Sequence, residues 1–195
     1  MPVLDAPALA ERLRSGAAAL FPTDTLPALA ALPEHAPQIW RLKHRPQDKP
    51  LILMGADLEQ LRGCLPLEWR SEWLELAEVG WPGALTLVLP AQGPWVEALH
   101  PGGGSLGLRV PACDAAQDLL RRSGPLATTS ANRSGEPPAT TATEAAALFP
   151  ELPLLGPLPW PEPSGQASTV IAWTDSGGWR LLRRGAVMPA LPGLG

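Results

Sequence analysis

The chain has 195 residues, a length that fits one domain, and its 15 Lys and Arg against 19 Asp and Glu leave a formal charge of −4. With charged residues at 17% and no basic excess to displace counterions, a broad nucleic-acid-binding face is disfavoured as the main activity. Hydrophobic residues at 45% suffice for a packed core, and no apolar run approaches the roughly 18 residues of a membrane span.

In chain order, Asp5 reads as an N-cap, Leu9 and Leu13 share one helical face, and Gly16 is the expected stop of a first helix. Residues 17–21 read as a short buried strand closed by Pro22. Residues 36–43 read as a helix that must end before Pro46, which biases Arg45 to an extended conformation. The run 51–54 reads as a strand covered on both faces. Residues 58–61 and 67–79 read as helices, the second carrying Trp69, Trp73 and Leu76 at core spacing.

Residues 84–89, 106–110 and 125–130 read as further strands. Between the last two, Asp114 and Gln117 resemble a capping box for a helix stopped by Gly124. A second such box, Thr141 with Glu144, opens a helix before a proline-rich connection over 150–164. Residues 168–173 and 179–184 flank Asp175-Ser176-Gly177-Gly178 as a hairpin. The 25 prolines and 19 glycines punctuate apolar stretches along the chain, which is turn chemistry and not disorder. The fold class expected is α/β, with a twisted mixed sheet flanked by helices in a single domain over 1–195.

Three constellations bear on chemistry. Only two of the 15 basic residues are lysines, Lys43 and Lys49, and they lie together in RLKHRPQDKPLIL (41–53) with Arg45 between them. Either these cations converge on a polyanion such as a triphosphate, or they form a solvated loop favoured by the helix macrodipole. TTSANRSG (128–135) would direct Ser130 and Asn132 to one side if extended, toward a ligand at the strand end. The same residues would equally build a turn. Arg109 and Arg183 sit inside apolar strands, where each needs either a carboxylate or an anionic ligand. Gly102-Gly103-Gly104 lacks the context of a phosphate cradle and reads as a loop.

No ligand spacing among His35, His44, His100, Cys64 and Cys113 indicates a metal site. Without CxxC spacing or a basic segment leading an apolar h-region, a reduced cytoplasmic setting is expected. A site rich in cations and poor in titratable bases suits phosphoryl or nucleotidyl transfer, where positioning and charge neutralisation do most of the catalysis.

In order, FPTDTLPAL (21–29), KHRPQDKPL (43–51), WPGALTLVLP (81–90), LGLRVP (106–111), PLATTSANRSGEPP (125–138), STV (168–170) and LLRRG (181–185) resemble the YrdC-like family of threonylcarbamoyl-AMP synthases. The resemblance implies the YrdC-like fold with a concave cationic cavity. It also implies a nucleotidyltransferase that makes threonylcarbamoyl-AMP and pyrophosphate from L-threonine, bicarbonate and ATP, for tRNA threonylcarbamoyladenosine modification. By motif position, Lys43, Arg45, Ser130 and Asn132 would form the catalytic set. Arg45, Lys49, Ser130, Asn132, Pro138 and Arg183 would bind ATP, and Lys43 would line the same cavity. Thr25, Arg109, Thr128 and Ser168 would surround the threonine. Mg2+ would be held mainly through ATP phosphates, with no metal ligands from the chain.

As partners the resemblance implies a separate downstream threonylcarbamoyl transferase, with weak or no direct tRNA binding. The additional C-terminal domain of longer relatives is not expected. The chain departs from the family pattern at Pro27-Ala28, where Tyr or Phe followed by Gly is frequent, and at Met54, where His is frequent. The alternative is a divergent YrdC-like nucleotide- or RNA-binding protein without threonine-specific activity.

Overall fold

The short apolar segments separated by proline and glycine assemble into one mixed sheet. A computed structural model of the chain describes residues 2–65 and 68–190. The strands are β1 (Val3–Leu4), β2 (Ala19–Phe21), β3 (Ala28–Ala31), β4 (Ile52–Met54), β5 (Leu85–Pro90), β6 (Ser105–Arg109), β7 (Leu126–Ser130), β8 (Leu154–Leu155), β9 (Thr169–Thr174) and β10 (Gly178–Arg183). They pair in the order β1-β8-β2-β3-β7-β4-β6-β5-β9-β10. The helices are α1 (Ala6–Arg14), α2 (Pro37–Lys43), α3 (Leu58–Cys64), α4 (Ser71–Gly80), α5 (Pro94–Leu99), α6 (Asp114–Ser123) and α7 (Ala142–Leu148).

Strand alternation divides the sheet into two faces. Leu20, Leu29, Leu53, Leu87 and Leu108 point to the larger core, where they meet Ile39 and Trp40 of α2, Trp73 and Leu76 of α4, and Leu99 of α5. On the opposite face Phe21, Ala28, Ala30, Met54 and Leu126 meet Leu9 and Leu13 of α1 and Leu119 and Leu120 of α6. Each of these buried leucines contributes about 1.5–3 kcal/mol through removal from water. This second core covers only part of its face. Thr86, Val88, Gly107, Arg109 and Val170, on the same side, line a cavity instead.

Local signals account for many boundaries. The Asp5 carboxylate accepts from Ala8 N at 2.9 Å at the start of α1, and the box at Thr141 and Glu144 opens α7. Gly124, with φ 84°, closes α6, and β9 pairs antiparallel with β10 as expected of a hairpin. Other expectations need correction. Cys113, not Asp114, caps α6, and Gln117 instead donates to Pro111 O at 2.9 Å. Helix α4 begins at Ser71, after an extended Arg70, while position 67 lies outside the described residues. Strands β1, β3 and β8 and helix α5 were not anticipated; the alanine-rich β3 carries no β-branched or alternating signature.

Candidate functional site

The cavity has a volume of about 400 Å³ and its floor is the uncovered sheet face. Because register partners point to the same side, the floor forms rows across the strands. Thr128, Ile52, Gly107 and Val88 make the middle row. Met54 lies beside Arg109 toward one end, and Ser130 beside Ala28 toward the other. Gly107 keeps the floor open: a β-carbon there would come 2.8 Å from Ile52 Cγ2.

Three arginines line this cavity. Arg45 follows α2, whose C-terminus closes with His44 in the left-handed region at φ 51° and with Arg45 N donating to Trp40 O at 2.9 Å. Its guanidinium donates to Lys49 O at 3.3 Å and Pro50 O at 2.9 Å. Arg183, the last residue of β10, donates from Nη2 to Ser168 O at 2.8 Å and Ser168 Oγ at 3.2 Å. Neither forms an ion pair with a carboxylate among the described residues.

Arg109 differs. Only 4% exposed, it donates to Asp24 Oδ1 and Thr25 Oγ1, both at 2.7 Å, and to Gly83 O at 3.1 Å. Burial is the largest influence lowering the pKa of all three guanidinium groups. Arg183 lowers those of Arg45 and Arg109 further, opposed by Asp48 and Asp24 respectively. Arginine stays protonated under such pressure, so Arg45 and Arg183 present positive charge to the cavity with no carboxylate paired to them among the described residues.

The remaining expected threonine-site residues also line the cavity. Thr25 Oγ1 lies 3.1 Å from Thr23 Oγ1, Ser168 Oγ lies 2.8 Å from Thr86 Oγ1, and Thr128 Oγ1 donates to Ile52 O at 3.3 Å. The loop 164–165 is fastened here through Ser164 N to Asp24 O and Gly165 N to Thr25 O.

Lys43, Lys49, Asn132 and Pro138 are not among the lining residues, so the expected convergence holds for Arg45 and Ser130 but not for them. Lys49 is exposed and contributes its backbone oxygen to Arg45 and Trp40. Strand β7 ends at Ser130, so strand alternation does not extend to Asn132, whose Oδ1 instead accepts from the Ser130 hydroxyl at 2.7 Å. Lys43, 1% exposed, turns inward and donates to Ser130 O, Asn132 O and Asn132 Oδ1 at 2.6, 2.7 and 2.8 Å. Burial and the neighbouring Arg45 push its pKa down to about 7, against three oxygens that match the three hydrogens of an ammonium.

Two residues that bear on the site were not singled out from the sequence, one bonded to the lining Arg109 and one in the lining itself. Asp24 is visible as an acid within FPTDTLPAL, but its role depends on Arg109. His100 lines the cavity, with Nδ1 donating to Ser105 O at 2.9 Å, and its ring occupies the space that a side chain at Gly103 would need. That contact confirms the glycine run as a loop that wraps a side chain. Among the described residues no group of three His, Cys, Asp or Glu could hold a metal ion, and no helix is long and apolar enough to cross a membrane.

Comparison with known proteins agrees with this architecture. A Threonylcarbamoyl-AMP synthase of Stenotrophomonas maltophilia is 39% identical over 135 residues, which is 65% of this chain and 71% of the relative. One of Pyrococcus abyssi is 40% identical over 141 residues, 70% of this chain and 41% of the relative. The crystal structure of P. abyssi Sua5 complexed with L-threonine superposes with a TM-score of 0.84 at 35% identity. That superposition covers 92% of this chain but 54% of the other, so this chain spans about half of that relative. The model of the Sua5/YciO/YrdC family, described as telomere recombination, matches residues 11–185, and the chain belongs to that family.

Proposed function

We propose that the chain is a threonylcarbamoyl-AMP synthase working in the cytoplasm on L-threonine, bicarbonate and ATP. The observation that carries this reading is the convergence of Arg45 and Arg183, both without a carboxylate partner among the described residues, on the cavity that also holds Arg109. The threonine amine and bicarbonate form a carbamate with loss of water. A carbamate oxygen then attacks the α-phosphorus, and the bond to the bridging oxygen breaks to release pyrophosphate.

Both reactants are anions and repel each other, so the protein's main task is to hold them together by opposite charge. Arg45 and Arg183 serve the nucleotide phosphates, and Ser130, whose one hydroxyl hydrogen goes to Asn132 Oδ1, serves the nucleotide as an acceptor. Arg109, with two of its five N–H groups uncommitted, serves the threonine carboxylate beside Thr25, Thr128 and Ser168. Mg2+ would accompany the nucleotide, held mainly through phosphate and water oxygens and neutralising phosphate charge, while Asp24 stays committed to Arg109. The product passes to a separate transferase, and the net charge of −4 favours little direct contact with tRNA.

The test is threonine-dependent release of pyrophosphate from ATP in bicarbonate buffer. Release that is equal without threonine, or absent from folded protein, overturns the proposal. Met54 in the wall and Ala28 on the floor are the departures that bear on amino-acid choice. Calorimetric titration of threonine against other amino acids in the presence of MgATP measures their effect.

A further inference from the structure

We infer that Lys43 and Asn132 are positioning residues that set the Ser130 hydroxyl at the cavity edge, without themselves contacting the nucleotide. This rests on the reading of the cavity as a nucleotide site.

The hydrogen-bonding capacity of both side chains is already spent. An ammonium has three hydrogens, and Lys43 Nζ directs them at three oxygens of the segment 130–132. Asn132 Oδ1 receives Lys43 and also the Ser130 hydroxyl, at 2.8 and 2.7 Å. Its amide nitrogen gives hydrogens to Arg133 O at 2.9 Å and Glu136 O at 2.7 Å. A phosphate oxygen could reach Lys43 only by displacing one of these carbonyls from a side chain that is 1% exposed. A lysine acting as a free point charge would sit with its head in the cavity, as Arg45 does.

The loop is fastened from its far side as well. Ser134 N donates to Lys43 O at 2.8 Å. Arg133 donates to Leu42 O and, at 3.0 Å, to Leu148 O, and its guanidinium lies 4.7 Å from the centre of the Phe149 ring. These bonds tie the end of β7 to the last turn of α2. That same turn delivers Arg45 two residues after Lys43, so one joint fixes the relative placement of Ser130 and Arg45. Lys43 therefore acts on the nucleotide through the residues it aligns.

Lys43→Met removes every donor while keeping the apolar stem. In ligand-free protein, amide exchange over residues 131–136 is expected to accelerate at least tenfold while the amides of α1 and α6 keep their protection. Asn132→Ala, at a half-buried position, removes the same shared acceptor and is expected to do likewise, which keeps the inference testable should Lys43→Met fold poorly. For MgATP binding measured without threonine, Lys43→Met and Ser130→Ala should each weaken affinity. The double variant should be no weaker than the weaker single. Unchanged loop exchange, or losses that multiply in the double variant, overturn the positioning role and make Lys43 a direct contact. A wild-type chain that binds no MgATP overturns the nucleotide reading and the positioning role with it, whereas faster loop exchange in the variants would still show the joint itself.

Discussion

A guanidinium buried at the end of β6 persists in Arg109 because a carboxylate and a hydroxyl meet it at 2.7 Å. Removing one member of such a pair leaves the other charged and dry. Asp24→Ala is therefore expected to destabilise the fold by about 3–5 kcal/mol, read as a lower denaturant midpoint. A midpoint within experimental error of the wild type would show that Arg109 is held by Thr25 and Gly83 alone. The need for a partner was legible in LGLRVP, since an arginine among apolar neighbours must be compensated. The identity of the partner was not, because Asp24 lies 85 positions away and several other acids were equally available. The same limit applies to Lys43, which reads as a phosphate ligand by residue type but meets its oxygens 87 and 89 positions on.

At the scale of elements, turn chemistry carried most of the legible boundaries. Asp5, Gly124 and the box at Thr141 and Glu144 act within three or four residues, so their partners are visible in the chain itself. Strand β3 and helix α5 escaped because four apolar residues or a single short turn fit either state until the sheet or the core selects one. The end of the hairpin shows a different constraint. A β-carbon at Gly185 would lie 2.2 Å from Ala167 O and 2.4 Å from Ser168 C, both backbone atoms that cannot swing aside. Gly185→Ala is thus expected to shift the end of β10 and with it Arg183, lowering kcat/KM by about 100-fold, the scale that follows misplacement of a contact by an ångström. Activity retained within twofold would show that the strand end relaxes without moving the arginine.

Across the whole molecule, helices α1 and α6 roof one part of a sheet face and leave the rest bare. A ligand lying there does for the bare part what the helices do for the roofed part. Saturation with MgATP at about 100 times its Kd is expected to stabilise the protein by about 2.7 kcal/mol, visible as a raised Tm. Gly107→Val, which fills the floor beside Ile52, is expected to abolish that rise while leaving secondary structure intact. A full ligand-induced rise in the variant would place the nucleotide elsewhere.

The two-sidedness of β4 and β6 has a mechanical consequence. Leu53 and Leu108 are locked into the larger core, while their chain neighbours Ile52 and Gly107 form the floor. Deforming the floor would therefore mean repacking the interior. The floor behaves as an anvil with the stiffness of the core behind it, and adaptation to an incoming substrate falls to the rim, where Arg45 and Arg183 hold only backbone oxygens and a serine hydroxyl.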